Sequence, residues 1–203
     1  MSESGQERQS LVLLGGGGHC KACIDVIEAT GEWSILGILD LPGRVGEQVL
    51  GYPVVGTDEE VGDYVINGAR FLVCLGQIRT ADLRRRAYER VKAAGGKLAT
   101  IVSPLAYVSP RATLGEGTIV MHRAVVNVSA SIGDNVIINT MALVEHDATV
   151  GNHCHVSTAA VLNGGATIGV GSFVGSNAVV IQGATVLEDD FVPAGAVYRQ
   201  REE

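Results

Sequence analysis

The chain has 203 residues, of which 46% are hydrophobic and 18% are charged, and its formal net charge at pH 7 is −7. A composition this apolar excludes a mainly disordered protein, and the negative charge argues against nucleic-acid partners, whose phosphates need basic residues to neutralise them. No apolar run approaches the roughly 20 residues of a membrane span, and the run at Leu11–Leu14 is too short for a signal-peptide core. We therefore expect a cytoplasmic protein without membrane partners, whose four cysteines are reduced.

The first half alternates between strand and helix patterns. A flexible tail over 1–9 should precede a small parallel α/β domain over 10–98, because alternating strands and helices are typical of that class. The predicted elements, in chain order, are a strand at Ser10–Leu14, a helix at Cys20–Ala29, strands at Ile35–Leu39 and Phe71–Leu75, and a helix at Ala81–Ala94 with Leu83, Ala87, Val91 and Ala94 on one face. The pair Cys20 and Cys23 forms a CxxC without a second CxxC, so we interpret both as small apolar residues of the first helix.

A glycine loop follows the first strand. Sheets of this kind bind ligands at the carboxyl ends of their strands, and here those ends carry Gly15–His19, Asp40 and Gly76. The loop only approximates a dinucleotide fingerprint, and Asp40 fits either a ribose contact or a solvated turn. Because this half is too short for a dinucleotide and a separate hydride acceptor, we expect one nucleotide, bound as part of a substrate.

The second half repeats every six residues. Sixteen hexapeptides follow each other from Ile101 without an insertion, and the second residue of every one is Val, Ile or Leu, while the sixth is usually Ala. Gly115, Gly133, Gly151 and Gly169 recur every 18 residues, so three hexapeptides make one coil. The pattern predicts a triangular solenoid of about five coils over 99–203, with one aliphatic residue inward per side and small residues at the corners.

Together, the glycine loop, the strand-end Asp40 and the hexapeptide solenoid resemble bacterial acetyltransferases of the sialic acid O-acetyltransferase type, the NeuD/PglD-like family. The group includes N-acetyltransferases of nucleotide-linked 4-amino sugars, such as those of bacillosamine and perosamine pathways. The matching stretches are LLGGGGHCKACIDVI, CLGQIR, IINTMALVEHDATVG and HVSTAAVLNGGATIG. The resemblance implies a left-handed parallel β-helix after the Rossmann-like domain, acetyl-CoA as donor, a nucleotide-linked amino sugar as acceptor, a homotrimer and no metal.

The resemblance also implies roles for individual residues. His146 matches the catalytic histidine and would be the general base that accepts the proton of an attacking amine. Asp147 would orient the ring, and Glu145 is the competing carboxylate. The matches to substrate contacts are Gly17, Gly18, His19, Asp40, Leu41, Gly76, Gln77 and Asn139. The matches around the coenzyme are His155, Gly164, Ser176 and Ala194, with the Gly164 N–H facing the thioester oxygen.

Several points of the site and of the function stay open. Leu41 stands where the family often has a second acidic residue, and Gln77 replaces a frequent Asp or Asn. The 3′-phosphate of the coenzyme is either exposed or met by Arg199 and Arg201. The acceptor is an amine or, as for sialic acid, a hydroxyl. A zinc enzyme resembling γ-class carbonic anhydrase, built from histidines such as His122 and His146, and a non-catalytic sugar-nucleotide sensor are the rival hypotheses from other classes.

Overall fold

The computed structural model describes residues 8–77 and 79–199. Its first part is a six-stranded sheet flanked by helices, parallel except for one hairpin. The strands are β1 (Gln9–Leu14), β2 (Trp33–Leu39), β3 (Gln48–Val49), β4 (Tyr52–Gly56), β5 (Arg70–Val73) and β6 (Lys97–Leu98), and the helices are α1 (Gly18–Thr30), α2 (Val61–Ile66) and α3 (Asp82–Ala93). Each predicted element of this half is present within a few residues, whereas β3, β4, α2 and β6 were not predicted.

The strand order β3-β4-β2-β1-β5-β6 places the first strand in the middle of the sheet. Its parallel neighbours are β2 on one side and β5 on the other. The chain therefore continues from β1 toward one edge of the sheet and returns past β1 to form β5 on the opposite side. Ligands bind at such a switch point, outside the carboxyl ends of the strands. The loops that follow β1, β2 and β5 therefore meet at one edge, as the sequence pattern predicts.

The second part is a left-handed parallel β-helix of two-residue strands. One side consists of β7 (Ile101–Val102), β10 (Ile119–Val120), β13 (Ile137–Ile138), β16 (His155–Val156), β19 (Phe173–Val174) and β22 (Phe191–Val192). The second side consists of β8 (Tyr107–Val108), β11 (Val125–Val126), β14 (Leu143–Val144), β17 (Val161–Leu162), β20 (Val179–Val180) and β23 (Val197–Tyr198). The third consists of β9 (Thr113–Leu114), β12 (Ser131–Ile132), β15 (Thr149–Val150), β18 (Thr167–Ile168) and β21 (Thr185–Val186).

The interior of the prism is the predicted one. From Val120 to Val192 the second residue of every hexapeptide is buried, and the sixth-position alanines pack between them. Val102, Val108 and Leu114 in the first coil are partly buried against the same core. Every coil thus contributes three aliphatic side chains to one narrow core, which drives the stacking.

The 18-residue glycine column serves a different purpose from the one expected. Gly115, Gly133, Gly151 and Gly169 do not have a positive φ; the left-handed residue of each corner lies two positions later, for example Asn135 at φ 53°. A Cβ on Gly151 would lie 2.8 Å from the backbone nitrogen of Val170 in the next coil. These glycines are needed because adjacent coils approach closely there, not because the corner turns at them.

Both α1 and α3 pack on the solenoid. Residues of α1 such as Cys23 and Ile24 share a buried cluster with Ile119 and Ile137 on the first side. The predicted face of α3 is only partly correct: Val91 is buried, but Leu83 is 64% exposed and Ala94 is exposed beyond the helix end, and Arg84 is buried instead. The reason is tertiary, since Arg84 finds backbone carbonyls of the solenoid as partners. Among the described residues, no helix has the length and apolarity that a membrane span requires.

The close stacking at the glycine column predicts unequal effects of two substitutions to alanine. Gly151→Ala should destabilise the protein by about 3 kcal/mol, because its Cβ overlaps the backbone of the next coil. Gly183→Ala is the matched control: it has φ 69° and open space around its Cβ, so only the left-handed backbone should cost about 1 kcal/mol. Chemical denaturation measures both, and equal losses would contradict the stacking role.

Candidate active site

The loop after β1 is held by the carboxylate of Asp40 at the end of β2. Its Oδ2 accepts hydrogen bonds from Gly16 N at 2.7 Å and from Arg44 Nη1 at 2.5 Å, and its Oδ1 accepts from Leu41 N at 2.8 Å. Asp40 was predicted to contact substrate. In the structure its carboxylate binds the backbone of the glycine loop and holds it against the end of β2. The carboxylate brings the loops after β1 and β2 together at the sheet edge.

Gly17 and Gly18 form the N-terminal end of α1 and are exposed. Neither has a positive φ, and a Cβ at either position would meet nothing within 4 Å. Gly15, by contrast, has φ 92° and lies against Leu75. The fold therefore requires glycine at Gly15, but leaves open space in front of Gly17 and Gly18, where backbone N–H groups at a helix start suit an anion.

A groove of about 670 Å³ lies beside this loop. Leu41, predicted as a substrate contact, is 69% exposed and lines it together with Leu83, which is 64% exposed. The remaining lining residues are Leu14, Gly15, Leu39, Asp40, Pro42, Asp58, Leu75, Arg86, Ala87, Glu89, Arg90 and Ala93. An apolar slot with charged residues at its margin suits a flat, partly polar group such as a nucleobase.

Five predicted residues from both halves come together where α1 begins. His155 on β16 donates from Nδ1 to the carbonyl of Gln77 at 3.1 Å, and its Nε2 lies 3.0 Å from Asn139 Nδ2. The centroids of the His19 and His155 rings are 6.1 Å apart. Gly76 adjoins His19, since a Cβ on Gly76 would lie 3.5 Å from the His19 Cβ. His19 Nε2 is buried and has no hydrogen-bond partner among the described residues.

The protonation of this cluster follows from its partners. A carbonyl only accepts, so His155 carries its hydrogen on Nδ1, and Nε2 accepts from Asn139 Nδ2. Burial, reinforced by the nearby Arg84 charge, lowers the pKa of His155 to about 3, so the ring is neutral at physiological pH. Asn139 Oδ1 accepts from Thr140 N at 2.8 Å, which fixes the amide and leaves one Nδ2–H for another partner.

The predicted coenzyme residues Ser176 and Ala194 lie beyond this cluster on higher coils. Ser176 Oγ is 3.0 Å from Ser157 Oγ, and Ala194 is exposed above Gly175. Phe173 packs edge-on against His155 at 5.1 Å and stacks on Phe191 at 5.2 Å. This aromatic column was not predicted, although His155, Phe173 and Phe191 are spaced 18 residues apart in the sequence. Arg199 is exposed, and Arg201 lies outside the described residues.

His146 occupies the corner between the second and third sides. Its Nδ1 is 2.8 Å from Asp147 Oδ2, whereas Glu145 Oε2 accepts from Asn127 Nδ2 at 3.0 Å and from the His146 backbone N–H at 3.3 Å. Asp147, rather than Glu145, is the carboxylate that contacts the ring. This hydrogen bond raises the pKa of His146, against an opposing effect of burial and with further help from the charges of Asp147 and Glu145, and leaves Nε2 as the outward basic nitrogen.

Gly164 lies one coil above His146. A Cβ on Gly164 would lie 2.7 Å from both Cε1 and Nε2 of the imidazole, so only glycine leaves room for this ring position. The Gly164 N–H has no acceptor among the described residues. Gly164 therefore adjoins the basic nitrogen, as the predicted role near the thioester requires.

One chain does not bring all predicted residues to one place. Asn139 precedes the corner between the first and second sides, and His146 lies at the corner between the second and third. The strand β14 runs between them, so the two clusters occupy opposite ends of one side of the prism. Within one chain, His146 and Asn139 therefore lie at different corners of the prism.

The histidines do not converge on a metal. In the part of the chain that the structure describes, no group of three or more His, Cys, Asp or Glu side chains has metal-binding geometry. The ring nitrogens are engaged separately: His122 with Asp25 and Ser103, His146 with Asp147, and His153 with Asn135. The zinc hypothesis gains no support from this arrangement.

Comparison with known proteins places the chain in a family. Residues 10–91 match the PglD N-terminal domain family. PerB from Caulobacter crescentus, solved with CoA and GDP-perosamine, is 38% identical, with a TM-score of 0.86 over 94% of this chain and 89% of PerB. The acetyltransferase domain of PglB from Neisseria gonorrhoeae, solved with acetyl coenzyme A, is 33% identical, with a TM-score of 0.86 over 95% and 92%. The chain belongs to the NeuD/PglD-like family of sugar N-acetyltransferases.

Membership of this family confirms the predicted fold class and the predicted enzyme class, an acyltransferase acting on amino sugars. WeeI from Acinetobacter baumannii AYE, 17% identical with a TM-score of 0.51 over 92% of this chain and 94% of WeeI, supports the fold alone. No curated protein sequence matches the chain significantly.

The contact between His146 and Asp147 predicts a pH dependence. Because the carboxylate stabilises the imidazolium, His146 should titrate above the ordinary value of about 6.5. Asp147→Asn, which tolerates the φ of 59°, should lower this pKa. The acid limb of kcat/KM should move down with it, since the protonated ring cannot accept a proton. An NMR titration of the ring protons measures the pKa, and a value that does not change in Asp147→Asn would contradict the assignment.

Proposed function

We propose that this acetyltransferase moves the acetyl group of acetyl-CoA to the amine of a nucleotide-linked amino sugar, of the 4-amino-4,6-dideoxy type, with His146 as general base. The observation that carries the proposal is the hydrogen bond between His146 and Asp147. It leaves the basic Nε2 of His146 directed outward, beside Gly164. The related enzymes solved with acetyl coenzyme A or with CoA and GDP-perosamine support the choice of donor and acceptor.

The proposed reaction is a direct attack. The amine nitrogen forms a bond to the thioester carbonyl carbon while its proton passes to His146 Nε2, and the carbon–sulfur bond then breaks. The proton held by His146 goes on to the departing thiolate, so atoms and charge balance. Asp147 stabilises the imidazolium in between, and the Gly164 N–H is the proposed donor to the carbonyl oxygen.

Cys154 is not the proposed nucleophile, although it is close to His155 in sequence. Its thiol donates to the carbonyl of Gly169 at 2.9 Å inside the prism core. Burial raises the pKa of Cys154 to about 12, so the thiolate that an acyl-enzyme mechanism needs is not formed near neutral pH. An acetylated enzyme intermediate is therefore not part of the proposal.

The acceptor is proposed to bind to the first domain, residues 10–98, and the donor to the solenoid, residues 99–203. The open space at Gly17 and Gly18 suits the phosphates, and the groove beside Leu41 suits the base. A polar group of the sugar would satisfy the unpartnered Nε2 of His19. His155, Ser176 and Ala194 on the upper coils remain the proposed lining of the coenzyme channel.

A homotrimer is the proposed assembly. A closed ring of three chains would pair the His146 corner of one subunit with the Asn139 corner of its neighbour. The solenoid has only nine charged residues between Ile101 and Tyr198, a depletion that suits burial between subunits. The cytoplasm is the proposed location, since all four cysteines are free thiols.

His146→Ala tests the proposed chemistry. The variant should lower kcat by roughly 10²–10⁴-fold, the usual value of a general base, while the affinity for acetyl-CoA changes little because the ring is not a binding anchor. Cys154→Ala is the matched control and should stay within a few fold of the parent activity. Steady-state kinetics and CoA-binding calorimetry provide the two readings. An inactive Cys154→Ala that is folded, or an acetylated enzyme trapped without acceptor, would sink the direct-attack mechanism.

Gly17→Leu tests the separation of the two substrate sites. The position has open space and φ −74°, so the fold should accept a side chain there. The added side chain should raise the acceptor KM by roughly tenfold or more, since it fills the proposed phosphate site. The affinity for acetyl-CoA should be unchanged. Equal losses of both affinities in a folded variant would mean that the sites are not separate.

A further inference from the structure

Arg84 on α3 is fully buried and has no carboxylate partner among the described residues. Its Nη2 donates to the carbonyl of Asn135, and its Nη1 donates to the carbonyl of His153 at 3.0 Å and to Gln77 Oε1 at 3.1 Å. Burial lowers the pKa of Arg84 to about 10, which still leaves the guanidinium charged at neutral pH. Its Nε is buried and has no hydrogen-bond partner among the described residues. A buried charge is costly unless its donors are satisfied, so the contacts of Nη1 and Nη2 require an explanation beyond general packing.

The partners of Arg84 form a column on the solenoid. Asn135, His153 and Gly171 occupy the same left-handed corner position in three successive coils, with φ of 53°, 63° and 75°. Their carbonyls accept no backbone N–H within the described residues, so they form a row of open acceptors. Arg84 takes the first two carbonyls, and Gln77 Nε2 takes the third at 2.7 Å.

Gln77 is thereby fixed at three points. Its side-chain oxygen accepts from Arg84, its side-chain nitrogen donates to Gly171, and its main-chain carbonyl accepts from His155 Nδ1. The next links are Asn139 Nδ2 to His155 Nε2 and Thr140 N to Asn139 Oδ1. A continuous hydrogen-bonded path therefore runs from α3, through the loop after β5, to the one free N–H of Asn139.

We propose that Arg84 is a positioning residue for acetyl transfer: by clamping Gln77 onto the carbonyl column, it fixes the orientation of His155 and Asn139 toward the acceptor sugar. The contact between Asn139 and the sugar rests on the proposed function, whereas the effect on His155 does not. The path joins the loop that receives the nucleotide sugar to the coil that carries the transfer site. Substitution at Arg84 should therefore affect the acceptor and spare the donor.

Arg85 is the matched control for Arg84. It is the next residue on the same helix and also contacts the solenoid, through Asp189 Oδ1 at 3.0 Å, but it has no link to Gln77 or His155. Arg84→Met and Arg85→Met each remove the guanidinium of one arginine that joins α3 to the solenoid. Only Arg84→Met should disturb the path to Asn139.

Two readouts separate positioning from general stability. Nitrogen NMR of labelled histidine reports the His155 tautomer, with the signal assigned through His155→Gln. The Nδ1–H form should predominate in the parent and in Arg85→Met, and should mix with the other tautomer in Arg84→Met. With a nucleotide-linked amino sugar as acceptor, Arg84→Met should lower kcat/KM by roughly 10- to 100-fold, while the KM for acetyl-CoA stays within about twofold.

A second pair of variants keeps the test decisive if Arg84→Met does not fold. Arg84→Lys retains the charge but lacks the planar fork, and Gln77→Met removes the clamp while leaving the Arg84–carbonyl bonds. Both variants should alter the His155 signal. The double variant, with Arg84→Lys and Gln77→Met together, should lose no more kcat/KM than the more impaired of the two single variants. An unchanged His155 signal in folded Arg84 and Gln77 variants would overturn the positioning role. Altered signals without any turnover in the parent enzyme would instead refute the proposed function.

Discussion

The stacking of coils in an 18-residue register is the constraint on which the other features of the molecule depend. Apolar burial inside the prism drives it, and the glycine column at Gly115–Gly169 permits the close approach. Because equivalent positions lie directly above one another, side chains 18 residues apart become neighbours. The imidazole of His146 next to Gly164 and the aromatic column of His155 and Phe173 both follow from this geometry.

The same register creates the surface on which the first domain docks. Helix α3 contacts one corner through residues four apart: Lys92 binds Glu116, Tyr88 binds Asp134, and Arg84 binds the carbonyls above them. Four residues of a helix rise about 6 Å and neighbouring coils are about 4.8 Å apart, spacings similar enough for long side chains to reach successive coils over two helical turns. The loop that carries Gln77 is thereby held at a fixed height on the solenoid, beside the proposed transfer site.

Much of the fold and part of the site could be predicted from the sequence because they depend on local period. The inward aliphatic positions lie on a strict repeat, and the glycine loop lies within a few residues of the first strand. The pair of His146 with Asp147 came from the family resemblance, which left Glu145 as the alternative partner of the ring. The burial of Arg84 in place of Leu83 could not be predicted, since its partners are carbonyls 51 and 69 residues away. The clamped side chain of Gln77 was missed for the same reason: its acceptor, Gly171, is 94 residues further along the chain.

The central claim is that one transfer site combines the His146 corner of one subunit with the Asn139 corner of another. The structure of the enzyme with CoA and an intact nucleotide-linked amino sugar tests it most directly. We expect the sugar nitrogen about 2.6–3.2 Å from His146 Nε2, with Asn139 of the adjacent subunit in contact with the same sugar. A sugar nitrogen remote from His146, or a site in which both corners are replaced by residues of a single chain, would contradict it.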